Sequence, residues 1–544
     1  MTFGHHDRQA RLDALKSKHF DALIIGGGIT GVATARDMAM RGFQVACIEK
    51  EDFAYGTSSR SSKLIHGGLR YLEQANFGLV FEGTHERATL RKVAPHLVRP
   101  IPFLYPVYES SKRGVWTVSL GLWMYDQLAG KRRYGRHTRH DVADLRTREP
   151  ALRQEQLRGG AIYYDCWTDD ARLCFENALS AHLSGASMLN RVCFVSPTRN
   201  EDKRIVGATV RDEESGQNIS VRCKTLVHCT GPWTDQVLSQ SGPPSDMLRP
   251  TKGVHVLVPR DVLPVQHAVV MSAVRDRRVV FAIPRGSMTL IGTTDTDFSD
   301  NPDDVYTTSS DVDYLLETVT AYFPNHAPTR EHIRATYAGL RPLVRDDSES
   351  TYDVSREHTV VTRGDGTLII AGGKYTTYRR MADDLVGAVM QDLKVPRRER
   401  PPCPTANALL PGAAQYDASP EMTQSGVSAL VEKGVPQDMA QHLVATYGSR
   451  HTLIDCEGSS RMIDGLPYCW AEVDHCVLNE AALGLSDILI RRLAIFYEAP
   501  DQGLECAKNV AERMQTLLDW DDLKRANELS RYENDVATSR RWQN

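Results

Sequence analysis

The feature that most constrains this chain is a glycine run set between an apolar strand and a helix. Asp21–Ile25 has the composition of a buried strand, and Gly26-Gly27-Gly28-Ile29-Thr30-Gly31 follows it. Ile29–Arg41 then reads as a helix leading to a second strand over Gln44–Glu49. Parallel strands need such a crossover, so the chain must open an α/β fold with helices laid on a sheet. Each glycine has a chemical reason. Gly26 permits the tight turn, Gly28 lets the main chain approach a pyrophosphate, and Gly31 lets the helix pack close to the strand. The helix N-terminus, at Ile29 and Thr30, offers unpaired N–H groups to phosphate. Glu49 ends the second strand 21 residues after Gly28, where a carboxylate can accept from ribose hydroxyls. A glycine turn alone can be purely structural. In this context it reads as a dinucleotide site.

The segment after the second strand indicates which dinucleotide. Thr57–Tyr71 (TSSRSSKLIHGGLRY) is dense in hydroxyls, small side chains and glycine, which suits main chain threading along an extended cofactor. An NAD-binding fold calls for no such element there, so FAD is the reading. Thr57, Ser58, Ser62, Lys63, Leu64, His66, Gly67 and Gly68 become cofactor-binding candidates. The plain alternative is a polar surface loop.

With 544 residues the chain is too long for one hydrophobic core. Further strands over Thr225–Cys229 and Thr367–Ala371 end on the turns Thr230-Gly231-Pro232-Trp233 and Gly372-Gly373-Lys374. Between them, Gly253–Pro259, Arg278–Pro284 and Ser287–Gly292 are short β-rich runs of antiparallel character. The expected architecture is α/β: a Rossmann-like FAD-binding domain, discontinuous over 21–95, 160–245 and 335–395. An antiparallel substrate domain, 96–159 and 246–334, is inserted into it. Residues 1–20 read as a polar leader and the proline-rich 396–412 as a linker. Residues 413–544 form an all-α C-terminal domain, with Asn479–Glu498 one of its helices.

Composition excludes rather than assigns. A net charge of -4 exerts no global pull toward nucleic acid, so no nucleic-acid partner is expected. The eleven cysteines are scattered without C-x-x-C or metal-ligand spacing, which fits a reducing compartment and no metal. No export signal opens the chain, and no run approaches the roughly 18 apolar residues of a spanning helix.

Seven motifs, in order, resemble the FAD-dependent glycerol-3-phosphate dehydrogenase family, within the larger glycine oxidase and D-amino-acid oxidase-like flavoproteins. They are SSKLIHGGLRYLE (Ser61–Glu73), APHL (Ala94–Leu97), YDCWTDDARL (Tyr164–Leu173), TGPW (Thr230–Trp233), IGTTD (Ile291–Asp295), GLRPL (Gly339–Leu343) and GGKYTTYR (Gly372–Arg379). Tyr447-Gly448 and Asp487–Arg492 are similar to the helical domain that ends family members. The resemblance implies oxidation of sn-glycerol 3-phosphate to dihydroxyacetone phosphate, with electrons passing to FAD and then to membrane quinone. It adds Thr230, Gly231, Trp233, Gly339, Arg341, Gly373, Lys374, Tyr375 and Thr376 to the cofactor candidates. It also implies a cytoplasmic protein held peripherally on the inner face of the cell membrane. Oligomeric state stays open, with a homodimer among the options.

A phosphorylated substrate needs cations, ideally guanidinium groups that grip phosphate in a planar fork. Arg70, Arg341, Arg356 and Lys374 lie in or beside the matched motifs. Oxidising an alcohol needs a base for the hydroxyl proton, and His255, on an apolar strand, is the first candidate. The plain alternative is a packed core histidine. Arg341 and Lys374 complete the catalytic set, while the Gly372-Gly373-Lys374 turn can direct N–H groups at negative charge. Val115–Tyr125 (VWTVSLGLWMY), followed by Lys131, Arg132, Arg133, Arg136, His137 and Arg139, reads in two ways. It is a buried segment before a solvated loop, the slightly favoured reading, or an interfacial segment on anionic lipid. An oxidase that passes electrons to oxygen and makes peroxide shares every motif. Such oxidases often carry an extra segment ahead of the helical domain, and no long insertion stands there. A tRNA-modifying flavoprotein and an amine oxidase of the same fold are more distant alternatives.

Overall fold

A computed structural model describes residues 3–73, 76–240, 245–345 and 357–544, with the side chains of Arg70 and Glu73 outside the described set. The glycine turn joins the strand His19–Ile25 to the helix Ile29–Met40. That strand lies at the centre of an eight-stranded sheet, in parallel register with Asn218–His228 on one side and Val45–Ile48 on the other. Thr367–Gly372 and Ser187–Leu189 extend the parallel order outward. Alternation decides the faces. Ala22 and Ile24 pack under the helices Ile29–Met40, Asp170–Leu183 and Tyr378–Asp392. Leu23 and Ile25 face the opposite side, toward the hairpin Val192–Arg199 and Ile205–Asp212. Both faces are covered, as a parallel sheet requires.

The opening segment is integrated into this layer rather than hanging free as a leader. Arg8–Ser17 is a helix whose Leu12 and Leu15 enter the core beneath the sheet, and Arg8 pairs with the buried Asp212 at 2.7 Å. Two apolar positions three residues apart on that helix were the available signal.

The second sheet has ten strands and is mostly antiparallel. Leu248–Pro259, Met288–Gly292, Val279–Arg285 and Ala268–Ser272 run side by side, then Ala268–Ser272 meets Arg99–Tyr108 in parallel. Three strands that fall wholly or mostly within the residue ranges expected for the FAD-binding domain pair in this second sheet. Leu64–Ile65 and Leu157–Trp167 pair with each other, and Ala335–Val344 pairs with residues 248–257 of Leu248–Pro259. The chain therefore enters this sheet inside the cofactor segment, and its last return to the first sheet comes only after the strand that carries the GLRPL motif. Residues of both segments face a common space.

Beyond residue 413 the described chain is helical, with Pro420–Glu432, Gln437–Tyr447, Trp470–Asn479, Leu504–Leu518 and Asp522–Arg540 as its main helices. Asn479–Glu498 is not one helix. Trp470–Asn479 ends there, and Asp487–Arg492 and Ile495–Glu498 are separate short turns. Charge explains the break. Glu480, Asp487, Arg491 and Arg492 turn inward to meet buried partners on the rest of the protein. Arg491 and Arg492 both bind Asp52, Arg172 binds Glu480 at 2.6 Å, and Arg191 binds Asp487 at 2.8 Å. Burial raises the Glu480 carboxyl, but Arg172 and His475 outweigh it and hold the group well below the ordinary range.

Candidate active site

A cavity of about 580 Å³ opens where the two sheets meet. The glycine turn forms part of its wall. Gly26 sits at φ +106°, and a Cβ there would meet the Cys229 carbonyl at 2.5 Å. Gly26, Gly28, Ile29, Thr30 and Glu49 all line the cavity, whereas Gly31 packs behind it against the Gly26 carbonyl. Glu49 accepts from the Gly27 N–H at 2.7 Å and the Glu51 N–H at 2.9 Å, so its carboxylate is oriented by the main chain. Burial raises its pKa against those two bonds. Ser58 Oγ accepts from the Ile29 N–H at 2.9 Å, which ties the hydroxyl-rich segment to the start of the helix.

That segment divides. Thr57, Ser58, Ser62, Leu64, His66 and Gly68 line the cavity. Lys63 and Gly67 do not. Lys63, at φ +57°, buries its ammonium against Asp170, behind the wall. Gly67 donates to the Tyr125 hydroxyl at 2.8 Å. Thr230, Gly231 and Trp233 join the lining from the end of Asn218–His228, where Trp233 Nε1 donates to Asp303 at 2.9 Å. Gly373, Lys374, Tyr375 and Thr376 enter from the end of Thr367–Gly372. Gly372 and Gly373 turn with φ of +75° and +89°, and the Lys374 ammonium lies 3.8 Å from the centre of the Tyr71 ring.

His255 and Arg341 come from adjacent strands of the second sheet and reach the same cavity, as does Gly339. Two glycines give the larger groups room. A Cβ on Gly253 would strike the Arg341 guanidinium at 2.5 Å, and one on Gly292 would stand 2.8 Å from His255 Nε2. His255 is 3% exposed, and its Nε2 meets the Ser62 hydroxyl at 2.8 Å. Burial, then the nearby Arg341 and Lys63, lower the imidazole well below its ordinary 6.5. It is neutral at physiological pH, the state a base needs.

Arg341 is held by Asp295 at 2.9 Å, by Thr293 Oγ1 at 3.2 Å and by the Thr294 carbonyl at 3.1 Å. Arg278 also lines the cavity, and its guanidinium donates to the Asp295 carbonyl. Sequence reasoning missed both Arg278 and Asp295 as site residues. Arg278 opens the β-rich run Arg278–Pro284, directly after the charged Arg275-Asp276-Arg277, and had no role assigned, and Asp295 closes the IGTTD motif unassigned. The Arg70 side chain and the whole of Arg356 lie outside the described residues.

The comparisons with known proteins give the family and the cofactor. The family model described as FAD dependent oxidoreductase matches residues 21–379, and that of the C-terminal domain of alpha-glycerophosphate oxidase matches 403–525. The chain is 38% identical to glycerol-3-phosphate dehydrogenase 2 of Mycobacterium tuberculosis, over 98% of this chain and 92% of that protein. It is 35% identical to the aerobic glycerol-3-phosphate dehydrogenase of Staphylococcus aureus, over 93% and 92% respectively. The solved glycerol-3-phosphate dehydrogenase from Bacillus halodurans, complexed with FAD, superposes with a TM-score of 0.81 at 28% identity, covering 99% of this chain and 98% of that one. Glycine oxidase from Geobacillus kaustophilus, at 18% identity and a TM-score of 0.52, shares the fold over 72% of this chain.

The residues present fit FAD. The turn leaves no room for a Cβ at Gly26, a helix N-terminus faces the cavity, and Glu49 stands at the end of the next strand.

Proposed function

The chain belongs to the family of FAD-dependent oxidoreductases, and from that membership we propose that it oxidises sn-glycerol 3-phosphate to dihydroxyacetone phosphate and delivers the electrons to membrane quinone. One observation carries the substrate assignment: Arg341, Arg278 and Lys374 share a cavity wall with a buried, neutral imidazole. Asp295 pairs with Arg341 and Asp276 with Arg278, so carboxylates orient these cations. Three cations on one cavity suit a phosphate dianion better than the one carboxylate of an amino acid.

Bound FAD supplies the acceptor for the hydride leaving C2 of the alcohol. The chain's own groups do the rest. Arg341 and Arg278 grip phosphate oxygens in place of Asp295, while Lys374 adds a point charge from the opposite element. The C2 hydroxyl proton passes to His255 Nε2. That transfer requires the Nδ1–H tautomer, whose single Nε2 lone pair accepts from the Ser62 hydroxyl at rest and from the substrate hydroxyl once that displaces it. Apolar and aromatic side chains on the cavity wall, Val270, Val279 and Phe281 among them, keep water from competing for the base.

Anaerobic bleaching of the flavin is the test. Glycerol 3-phosphate should bleach it, whereas glycerol, lactate and amino acids should not. Bleaching by unphosphorylated glycerol or by an amino acid at comparable concentration would overturn the substrate assignment. Stoichiometric peroxide from detergent-solubilised protein without quinone would transfer the assignment to the oxidase.

A surface feature supports the quinone reading. Val115–Ala129 is a helix that buries Val118, Leu122, Tyr125 and Ala129. Its other face exposes Trp116 by 76%, Leu120 by 58% and Trp123 by 52%. The segment is thus only half buried, contrary to the simpler sequence reading. Phe77 and Phe81 on the helix Phe77–Val93, which packs against it, are exposed as well. Lys131, Arg132, Arg136 and Arg139 are exposed beside them, with Arg139 3.7 Å from the Trp116 ring centre. Aromatic and basic groups in one patch suit a shallow seat in an anionic bilayer. Among the described residues no helix is long and apolar enough to cross a membrane.

A further inference from the structure

We propose that Tyr497, carried by the helical C-terminal domain, is a positioning residue for His255 and acts through the ring of Tyr337. The inference rests on the reading of His255 as the base. Its argument starts from how little else orients that imidazole. Nε2 has its bond to Ser62, while Nδ1 is buried with no hydrogen-bond partner. One hydrogen bond leaves a ring free to swing about it, so packing must supply the remaining restraint.

Tyr337 supplies it from the neighbouring strand, directly opposite His255 in the register. The two rings stack with centroids 4.8 Å apart and planes 17° from parallel. The Tyr337 hydroxyl also donates to the Ser61 carbonyl at 2.8 Å, so it restrains the residue next to Ser62. Tyr337 therefore acts on both sides of the base: on the ring itself and on the main chain beside its hydrogen-bond partner.

Behind Tyr337 stands Tyr497, edge to face, with centroids 5.6 Å apart and planes at 73°. Tyr497 comes from the short helix Ile495–Glu498, far along the chain from either sheet. Two cations hold it in turn. The Arg285 guanidinium lies 5.4 Å from its ring centre, and the Lys63 ammonium lies 5.8 Å from it and 5.9 Å from that of Tyr337. Lys63 is paired with Asp170, and the adjacent Glu498 accepts from the Tyr468 hydroxyl at 2.9 Å. The helical domain thus backs the Tyr337 ring that stacks on the base.

Removing the Tyr497 ring has two effects. It loosens the stack, which costs rate, and it admits water behind the imidazole, which returns the basicity that burial suppresses. The charged groups facing His255 stay as they are: Arg341 with its partner Asp295, and Lys63 with its partner Asp170. The pKa of the base must then rise toward 6.5.

The experiment uses the full-length, flavin-loaded protein and measures kcat and KM for glycerol 3-phosphate across pH, normalised to flavin content. Tyr497→Leu should lower kcat by about tenfold or more, leave KM within about twofold, and move the acid limb upward by about one pH unit. Tyr497→Phe should restore wild-type behaviour, because the ring and not the hydroxyl is invoked. Tyr497→Met gives the same readout should the leucine variant not fold. An unmoved acid limb with kcat preserved per flavin, in either variant, overturns the proposal. His255→Asn separates the two levels: wild-type kcat in that variant removes the base reading itself, whatever Tyr497 does.

Discussion

Burial, Arg341 and Lys63 together keep the His255 imidazole neutral well below pH 6.5, and the sign of the consequence is definite. A base works when unprotonated, so activity should persist as pH falls through 6.5 and decline only at a lower value. A pH profile of kcat/KM checks this, and an acid limb at or above 6.5 would contradict it. The cations give a second expectation at this scale. Arg278→Gln should raise KM for glycerol 3-phosphate by roughly 10- to 100-fold, the loss of one charge-assisted contact, with kcat less affected. An unchanged KM would remove Arg278 from the clamp. Much of the residue-level site was legible beforehand. His255, Arg341 and Lys374 stood in motifs or on an apolar strand, and all three reach one cavity. Lys63 and Arg278 were misplaced for the same reason: a side chain's direction is set by tertiary partners that sequence does not display. Lys63 turns away to Asp170, while Arg278 turns in toward Asp295.

At the scale of elements, the opening strand, turn and helix were legible because they obey local rules of period and punctuation. The crossings between sheets were not. Ala335–Val344 could pair with either sheet on composition, and its register with Leu248–Pro259 is a long-range outcome. The same limit applies to the helix Val115–Ala129, whose segment showed aromatic content but not which face was outward. Its exposed face now carries a prediction. Trp116→Glu with Trp123→Glu should weaken binding to anionic vesicles by about tenfold or more, leaving turnover with a soluble dye acceptor intact. Cosedimentation with vesicles measures the first and a dye assay the second. Full retention on vesicles would exclude this face as the contact.

Across the whole molecule, the helical domain is joined to the rest by buried charge as well as by apolar contact. Asp52 is shared by Arg491 and Arg492, so Asp52→Ala takes one buried carboxylate from both guanidinium groups and leaves them only Asp487 and the more distant Glu480. The expected loss is about 3–5 kcal/mol, read as a lowered urea midpoint, and a change within about 0.5 kcal/mol would refute it. None of those pairings could be read from the chain, because their partners lie hundreds of residues apart. The Asp295–Arg341 pair has a different reach. An arginine already matched to an internal carboxylate binds an incoming anion by exchange, so net affinity is the difference between two similar attractions. Such a site holds its ligand loosely for the charge it carries, and the resident carboxylate competes with the product as much as with the substrate. With Arg341 as the proposed phosphate ligand, Asp295 would be a built-in displacing ion that favours turnover over tight retention.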